Sequence, residues 1–531
     1  MNVSEVIAAF LKQAGVECIF GYPGDPSVEF LEGARRQGTE FVLATREGTA
    51  GLMAEAYGMI TGKPGVALST LGPGSTNLVN AVANAFLDRV PMLAISGQID
   101  RLRKPTFTHQ VVDQQALFTP VAKWVAEIAP ETVGHVLRKA HKVALSDRPG
   151  PVHLTTPADV VGAAAGNDDI ALAPTAANGG LTVLASPGSD PVRMLKTTRR
   201  PIILYGLSAQ RHDVGGEIAD LADALGAAIV SSPMAKGCVR EDHARFAGVL
   251  DMACSDLMWD FMSAGDLILA VGFDAVELIK PWSLTAPVIH VDTVPNLDQI
   301  YAAEVECVGP IAQTLQALRD EAAGPGWSEH EIAEHRTRLH GAFEQGRVRG
   351  RLNPSDVVAA VRAWAPEETV ITADVGSHKL LVGQGWTTYR NKGVLMTNGL
   401  SSMGFSLPAA ITASKLRPDD EVVCFTGDGG LAMVQSELRL AASLGLAFRV
   451  IVFCDNSLNR IELKQMQRQY PPTGTRIDPT DVVKLAESMG CAGAMAQDTR
   501  GLESLLAERA PGDRPLVIGA EVDPSQYWEQ F

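Results

Sequence analysis

Short apolar runs alternate with segments of helical periodicity along the whole chain. Residues 421–426 (EVVCFT) have the length and composition of a buried strand, and Leu431, Val434 and Leu438 then recur at helical spacing. Similar pairs of strand-like and helix-like segments occur in the N-terminal, central and C-terminal parts of the chain. The alternation predicts an α/β fold of doubly wound parallel sheets.

Two changes in composition divide this pattern into three blocks. Residues 162–190 are rich in Ala, Gly, Asp and Pro and are interpreted as a linker, while residues 322–352 are polar and charged and fit a second connection. We therefore expect domains at 1–165, 188–322 and 352–531. The middle block has a Rossmann-like pattern, but GLSAQR follows its first strand, so a GxGxxG dinucleotide fingerprint is absent.

The sequence FTGDGG in the last block is a candidate ligand site. Asp428 lies between Gly427 and the pair Gly429 and Gly430, in the turn from a predicted strand to a predicted helix. Ligands of open α/β sheets bind at the carboxyl ends of strands, and free N–H groups at a helix start favour an anion. An aspartate beside a phosphate needs a divalent cation between them, and Mg²⁺ accepts both kinds of oxygen.

The next predicted strand supplies further metal ligands. RVIVFC ends at Asp455, 27 residues after Asp428, and Ser457 follows. Neighbouring parallel strands bring their ends to one edge of a sheet, so both carboxylates and the main-chain carbonyl of Ser457 can bind one Mg²⁺. Either turn alone is more simply a tight loop; together they favour a magnesium–diphosphate site.

Composition and charge argue against several other classes of protein. The formal net charge is −16 and Lys and Arg form no dense cluster, which argues against a nucleic-acid binder. No apolar run reaches the roughly 20 residues of a membrane span, and no signal peptide is recognised near Met1, so we expect a cytoplasmic protein. The seven scattered cysteines form no CxxC pair and fit buried reduced thiols.

Taken together, these motifs resemble the thiamine diphosphate enzymes of the acetolactate synthase and 2-oxo acid decarboxylase group. The hallmark of that family is a GDG turn followed after some 25 to 30 residues by a paired amide motif. Here GDGG is followed by Asp455 and Asn456, and Asp455 stands where many relatives carry asparagine. The resemblance extends over nearly the whole chain, through GYPGDPSVEF, REGTAGLMAEAYG, GPGSTN, VPMLAISGQ, RPGPVHL, VGSHK and TNGLSSMGFSLPAA. It implies pyrimidine-binding, middle and diphosphate-binding domains, with thiamine diphosphate and Mg²⁺ as cofactors.

The resemblance also implies a role for individual residues. Glu47 would contact the aminopyrimidine ring and share a proton with a ring nitrogen, since a carboxylate in an apolar pocket has a raised proton affinity. Taken alone, Glu47 fits equally a carboxylate at a helix N-terminus. Met403 would wedge the cofactor into a bent shape, and the main chain of Ser401 would accept the pyrimidine amino group. The full set of implied cofactor-binding residues is Gly24, Glu47, Gly74, Gly376, Ser377, His378, Ser401, Met403, Gly427, Asp428, Gly429, Gly430, Asp455 and Ser457.

Three departures from the family pattern concern the substrate and flavin. His109 and Gln110 stand where acetolactate synthases have Phe-Gln, and we count both, with Glu47, as catalytic candidates. His109 could move protons or bind a carboxylate, and a structural histidine is the alternative. Lys464 occupies the place of a substrate-selecting tryptophan. The stretch VGFDAVELIKPW resembles the flavin-independent, fermentative type, so FAD is not expected.

We expect decarboxylation of a 2-oxo acid followed by carboligation to a second carbonyl compound. Simple decarboxylation to an aldehyde is the alternative, favoured by His109 and the missing tryptophan. A cofactor-binding protein without turnover, a flavin-dependent oxidation and a nucleotide-binding oxidoreductase are alternatives from other classes. Because Glu47 and Asp428 hold opposite ends of one cofactor from different subunits in relatives, the resemblance implies at least a homodimer, and a homotetramer as a dimer of dimers.

Overall fold

The computed structural model describes residues 1–166, 170–171, 182–185, 190–322, 324–508 and 512–531 of the chain. Most of the linker predicted at 162–190 lies outside these residues. In the described parts, every helix is too short or too polar to cross a membrane. The seven cysteines lie outside disulfide bonds, and five of them are buried.

The first sheet has six parallel strands in the order β2-β1-β3-β4-β6-β5. Its strands are β1 Cys18–Gly21, β2 Glu40–Leu43, β3 Gly65–Ser69, β4 Met92–Gln98, β5 Trp124–Glu127 and β6 Pro151–Pro157. The accompanying helices are α1 Val3–Gln13, α2 Val28–Gln37, α3 Glu47–Thr61, α4 Pro73–Leu87, α5 Gln114–Phe118, α6 Val133–Leu145 and α7 Ala158–Val161. One apolar core lies between this sheet and α1, α2 and α6.

The second sheet has seven strands in the order β10-β9-β8-β11-β12-β13-β7, and its edge strand β7 is antiparallel to β13. Its strands are β7 Thr182–Ala185, β8 Pro201–Tyr205, β9 Ala228–Ser231, β10 Phe246–Val249, β11 Leu267–Val271, β12 Val288–Asp292 and β13 Ala303–Val308. Its helices are α8 Pro191–Thr197, α9 Leu207–Arg211, α10 Gly215–Leu225, α11 Ser255–Ser263, α12 Ile311–Asp320 and α13 Glu329–Phe343. Apolar cores cover both of its faces.

The third sheet has six parallel strands in the order β15-β14-β16-β17-β19-β18. Its strands are β14 Val370–Ala373, β15 Val394–Met396, β16 Val422–Gly427, β17 Arg449–Cys454, β18 Ala492–Ala496 and β19 Leu516–Glu521. The helices of this block are α14 Pro354–Trp364, α15 Ser377–Gly385, α16 Ser406–Leu416, α17 Asp428–Val434, α18 Glu437–Ser443, α19 Asn459–Gln467, α20 Val482–Ser488 and α21 Thr499–Ala507.

The first and third sheets therefore have the same strand order, counted from the first strand of each. In both, the order reverses between the first strand and the third, at β1/β3 and at β14/β16. Such switch points open a crevice at the carboxyl ends of the strands, where ligands of doubly wound folds bind. The predicted fold of three doubly wound α/β sheets is confirmed, with one antiparallel edge strand added to the middle sheet.

The chain forms two compact units whose limits differ from those of the sheets. Unit 1 consists of residues 1–175, 399–418 and 434–446, and unit 2 consists of the remaining three segments. Unit 1 thus contains α16 and α18 together with the first sheet. Within it, the Thr412 hydroxyl lies 3.2 Å from the carbonyl oxygen of Met53. Segment 399–403, which carries Ser401 and Met403, is accordingly part of the same unit as Glu47.

Candidate active site

Glu47 lies at the switch point of the first sheet, where it begins α3. Its side chain is buried, with 7% exposed, and one carboxylate oxygen accepts a hydrogen bond of 3.1 Å from the Asn77 amide on the first turns of α4. An acidic residue in the first turn of a helix is favoured by the helix dipole. The burial exceeds what a surface cap needs, so the position offers a carboxylate to a bound group.

Gly24 and Gly74 both lie against Thr70, and Gly74 also lies beside the Glu47 carboxylate. A Cβ atom on Gly24 would lie 2.1 Å from the Thr70 hydroxyl oxygen, and one on Gly74 would lie 2.7 Å from the Thr70 methyl carbon. The Gly74 Cβ would also approach the Glu47 carboxylate to 3.0 Å. The structure therefore brings Gly24, Glu47 and Gly74 together around Thr70, and the close approach of the chain requires glycine at both positions.

His109 and Gln110, the two residues expected to contact the substrate, pack against different parts of the protein. Both residues are exposed. Gln110 has a positive φ of 59°, and its carbonyl oxygen would lie 2.6 Å from a Cβ on Gly72, so its main chain packs on the turn before α4. The His109 ring instead packs edge-on against Phe107, with centroids 6.2 Å apart. A catalytic role for His109 stays a prediction.

Ser401 and Met403 lie on a main-chain segment that α4 holds. Ser401 has a positive φ of 56° and Met403 is half-buried. On either side of Ser401, the Gly399 amide donates to the Asp88 carboxylate at 2.6 Å, and the Ser402 amide donates to the Asn84 side chain at 3.2 Å. These bonds present the Ser401 main chain in a fixed, non-helical conformation.

Asp428 lies next to the end of β17, at the carboxyl ends of the strands of the third sheet, as the sequence predicts. One Asp428 carboxylate oxygen accepts from the Gly429 amide and the other from the Asn456 amide, both at 2.7 Å. Asp455 accepts from the Ser457 amide at 3.0 Å. β16 and β17 are neighbouring parallel strands, which explains why residues 28 positions apart in sequence bond here.

The electrostatics of this edge favour a cation. Burial raises the pKa of Asp428, against which its main-chain hydrogen bonds act in part. Burial and the neighbouring Asp428 carboxylate raise the pKa of Asp455 to about 7. The described residues include no cluster of three or more His, Cys, Asp or Glu side chains that could hold a metal ion. Two carboxylates fit Mg²⁺, because this ion keeps water and phosphate oxygens in its remaining positions.

His378 and its neighbours at the start of α15 can hold an anionic group beside these carboxylates. Burial lowers the pKa of His378 to about 3, and its ring stacks on Phe453 with centroids 5.3 Å apart. Its Nε2 atom is buried and has no hydrogen-bond partner in the described protein. A Cβ on Gly427 would lie 3.1 Å from the ring, and Gly376 precedes the helix with a φ of 159°. The orphaned nitrogen marks a position for a polar ligand atom.

Several side chains that support these positions escape sequence reasoning. Thr70 and Asn77 lie within the quoted segment VALSTLGPGSTN, yet no local rule separates them from their neighbours. In the third block, Ser377 donates to Asn459 at 2.7 Å, and the Ser457 hydroxyl donates to Glu462. The first pair joins α15 to α19, and the second joins the turn before α19 to that helix, so neither leaves a periodic signal. One indication is present in the sequence: Thr70, Asn77, Asn459 and Glu462 lie within or just beyond the quoted motifs.

The geometry of two strand-end sites agrees with comparisons to known proteins. Residues 1–117 match the N-terminal TPP binding domain of thiamine pyrophosphate enzymes, residues 189–318 match their central domain and residues 374–520 match their C-terminal TPP binding domain. Thiamine pyrophosphate is another name for thiamine diphosphate. Together these matches span most of the chain.

Similar proteins cover nearly the full length. The chain is 26% identical to "Acetolactate synthase" of Bacillus subtilis (strain 168), over 98% of this chain and 93% of that protein. It is 28% identical to "Acetolactate synthase, catabolic" of Raoultella terrigena, over 98% and 95%. It is 27% identical to "Acetolactate synthase isozyme 2 large subunit" of Escherichia coli (strain K12), over 98% and 96%. The chain therefore belongs to the thiamine pyrophosphate enzymes and is acetolactate synthase-like.

Proposed function

We propose that the protein decarboxylates a 2-oxo acid and joins the product to a second carbonyl compound, with thiamine diphosphate and Mg²⁺. The observation that carries this proposal is the pair of strand-end sites on equivalent sheets: a buried carboxylate at Glu47, and two carboxylates with raised pKa values at Asp428 and Asp455. The similarity to acetolactate synthases over 98% of the chain supports carboligation as the outcome.

In this proposal the residues of unit 2 bind the charged end of the cofactor. Asp428, Asp455 and the main-chain carbonyl of Ser457 bind Mg²⁺. The diphosphate contacts groups at the carboxyl ends of β14 and β16. They are the main chain at Gly376 and Ser377, the His378 side chain and the turn formed by Gly427, Gly429 and Gly430. The glycines let the phosphate oxygens approach the backbone.

The residues of unit 1 bind and activate the other end. Thiamine diphosphate supplies the nucleophilic carbon and the electron sink for the reaction. Glu47 holds a proton on its carboxylate for exchange with the aminopyrimidine, and Asn77 keeps that carboxylate oriented through the 3.1 Å hydrogen bond. Met403 and the main chain of Ser401 position the pyrimidine. Gly24 and Gly74 leave room beside Glu47, and Gln110 contacts the substrate.

Simple decarboxylation to an aldehyde is the second candidate. It is favoured by His109, whose exposed imidazole is a side chain that could supply the proton needed to release an aldehyde. It is also favoured by Lys464, an exposed residue of α19 that leaves no bulky aromatic ring at this position to shape a site for the acceptor.

We also propose that the protein works without FAD. In dinucleotide-binding folds the pyrophosphate rests at the start of the helix that follows the first strand. In the middle sheet, the Glu277 carboxylate is buried next to that position and accepts hydrogen bonds of 3.0 Å from the Leu207 and Asp274 amides. A Cβ on Gly206 would lie 2.2 Å from the same carboxylate. Burial raises the pKa of Glu277 to about 8, and its carboxyl group already occupies the main-chain donors that a pyrophosphate would need.

The remaining organisation is proposed from the family. The domain limits are 1–165 for the pyrimidine-binding domain, 188–322 for the middle domain and 352–531 for the diphosphate-binding domain. The assembly is a homodimer at least and a homotetramer as a dimer of dimers, with each cofactor held by two chains. The protein is cytoplasmic and acts on small molecules, a 2-oxo acid and a carbonyl acceptor.

Incubation of the protein with pyruvate, thiamine diphosphate and Mg²⁺ tests the proposed reaction. We expect carbon dioxide and acetolactate, measured by gas release and by the acid-catalysed colour reaction for acetoin. Acetaldehyde as the sole product would support the second candidate instead.

Glu47→Gln should retain cofactor binding and lose about 100-fold or more in rate, because the amide no longer exchanges a proton. Equal rates in the two proteins would refute the role of Glu47.

Replacement of Asp428 should separate metal binding from the fold. Asp428→Ala removes one of the two carboxylates, so thiamine diphosphate should bind much more weakly and addition of Mg²⁺ should no longer tighten it. Isothermal titration calorimetry with and without Mg²⁺ measures both effects. Asp513→Ala, which removes an exposed carboxylate, is the matched control and should titrate like the wild type. A Mg²⁺ dependence that survives in Asp428→Ala contradicts the proposed ligand.

Mixed assemblies test whether two chains complete each site. Glu47→Gln and Asp428→Ala chains, each inactive alone, are co-expressed with different tags and purified through both. If the two residues serve one cofactor from different chains, mixed dimers contain one intact site of two. Random mixing should then restore roughly a quarter of the wild-type activity before tag selection. Persistent inactivity of the doubly tagged protein would mean that both residues act within one chain.

Gly74→Ala tests the space beside Glu47. The new methyl carbon would meet the Thr70 methyl group and the Glu47 carboxylate, so one of them must shift; overpacking of this kind costs about 1–3 kcal/mol. We expect thiamine diphosphate affinity to fall about tenfold. Adding Thr70→Ser removes the struck methyl and should restore part of the loss. Gly216→Ala, in a helix with open space around it, should have no effect.

A further inference from the structure

Glu55 is a fully buried acidic residue on α3, two helical turns after Glu47, for which the proposed reaction has no use. Both of its carboxylate oxygens lie within 2.9 Å of the Asn84 amide nitrogen on α4. The same nitrogen lies 3.3 Å from a carboxylate oxygen of Asp88, which is also buried. Two carboxyl groups and one amide therefore meet between α3 and α4, inside an otherwise apolar helix pair.

Polar residues at the C-terminal end of α4 hold segment 399–402. Asn80 and Asn84 of α4, and Asp88 directly after its last residue, are spaced four residues apart. Asn80 donates to the Ser402 hydroxyl at 2.6 Å, Asn84 accepts from the Ser402 amide and Asp88 accepts from the Gly399 amide.

The approach of this segment to α4 is close. A Cβ on Gly399 would lie 2.7 Å from the main-chain carbonyl carbon of Leu87. The Gly399 amide consequently reaches the Asp88 carboxylate at 2.6 Å, and this bond requires Asp88 to present an oxygen without a proton. Any change that displaces the Asp88 side chain acts directly on the segment.

We infer that Glu55 is a positioning residue that, in its protonated form, donates to Asp88 and keeps that side chain an anionic acceptor for Gly399, thereby fixing the segment that carries Ser401 and Met403. The importance of this segment for the cofactor rests on the proposed function. The anchoring itself depends only on the bonds among Glu55, Asp88 and Gly399.

The electrostatic surroundings agree with a protonated Glu55. Burial, and then the charge of Asp88, hold the pKa of Glu55 well above its ordinary value. The helix α3 packs against β1, β3, β4, α4 and α16. Among these elements the strands carry no charged side chain, Cys18 of β1 is a thiol with a pKa raised by burial to about 12, and Lys415 of α16 is paired with Glu40. Asp88 is the charged group that acts on Glu55.

The direction of the pH dependence follows from this raised pKa. Above the ordinary pKa of a glutamate, the folded protein keeps a proton on Glu55 that the unfolded chain has released. As the pH rises through the pKa of the folded state, Glu55 ionises beside Asp88 and two buried carboxylates repel each other. The stability of the arrangement is therefore present on the acid side and lost on the alkaline side, by up to about tenfold in the local opening constant per pH unit.

Amide hydrogen exchange of the protein without added cofactor tests the anchoring. The peptide covering residues 397–404 is followed from pH 6 to pH 10, with rates corrected for the pH dependence of intrinsic exchange. We expect the wild type to lose protection of the Gly399 and Ser402 amides at alkaline pH. Glu55→Gln should retain it, because a carboxamide donates to Asp88 at every pH.

Two further variants make this result specific. Glu437→Gln is the matched control: Glu437 is a buried glutamate of unit 1 bound by the Thr45 and Thr49 hydroxyls, and its variant should keep the wild-type pH dependence at Gly399. Asp88→Asn keeps an acceptor for Gly399 and removes the like charge, so it should flatten the pH dependence as Glu55→Gln does. An unchanged alkaline loss in both Glu55→Gln and Asp88→Asn, or its absence in the wild type, would overturn the inference.

Calorimetric titration with thiamine diphosphate and Mg²⁺ then connects the anchoring to cofactor binding. The titration of Asp455, whose pKa is about 7, changes the affinity of both proteins alike, so the two are compared at each pH. The wild type should bind the cofactor more weakly than Glu55→Gln at the pH values where its segment has lost protection. Parallel weakening of both proteins would mean that Glu55 anchors the segment without positioning the cofactor. If the wild type binds no thiamine diphosphate at any pH, the proposed function fails, while the exchange result still decides the anchoring.

Discussion

The free-energy cost of burying carboxylates between parallel strands and their helices is the constraint on which this structure depends. A buried carboxylate must receive hydrogen bonds, share a proton or face a cation. The first is seen at Asp428, the second agrees with the contacts of Glu55, and the third is proposed for Asp455. Asp428 receives two main-chain bonds, Glu55 and Asp88 lie close enough to share a proton, and Asp455 beside Asp428 is left with a raised pKa that a cation would lower. Each arrangement fixes a different part of the candidate active site.

Two sheets with one strand order serve different chemistry because their acidic residues follow different strands. Glu47 begins the helix after the second strand of the first sheet, and its neighbour is the neutral Asn77. Asp428 and Asp455 follow the third and fourth strands of the third sheet and act on each other. The hydrogen bond from Asn77 orients the single Glu47 carboxylate, whereas a repelling pair of carboxylates is suited to a divalent cation. The proposed function assigns these two arrangements to opposite ends of one cofactor.

Sequence reasoning succeeded where a feature lies within one strand–turn–helix unit or joins neighbouring strands. The fold class followed from the alternation of apolar runs and helical periods. The proximity of Asp428 to the end of β17 followed from the rule that neighbouring parallel strands end at one side of a sheet. The hydrogen bond from the Asn456 main-chain amide to the Asp428 carboxylate confirms this proximity. The metal-binding role itself stays a prediction. For His109, the motif gave a position in the family pattern, whereas its exposure depends on packing that no local pattern encodes.

The contacts that hold segment 399–402 could not be predicted in the same way, because their partners are more than 300 residues apart in sequence. The sequence of α4 nevertheless shows one side of these contacts. Asn80, Asn84 and Asp88 form a polar stripe along α4 and its C-terminal end, where most other residues are small and apolar. Asn84 and Asp88 are buried, and buried polar side chains need partners. The stripe therefore predicts a polar main-chain neighbour without naming it. Gly399 supplies that neighbour because a residue with a side chain could not come close enough to Leu87 to donate its amide.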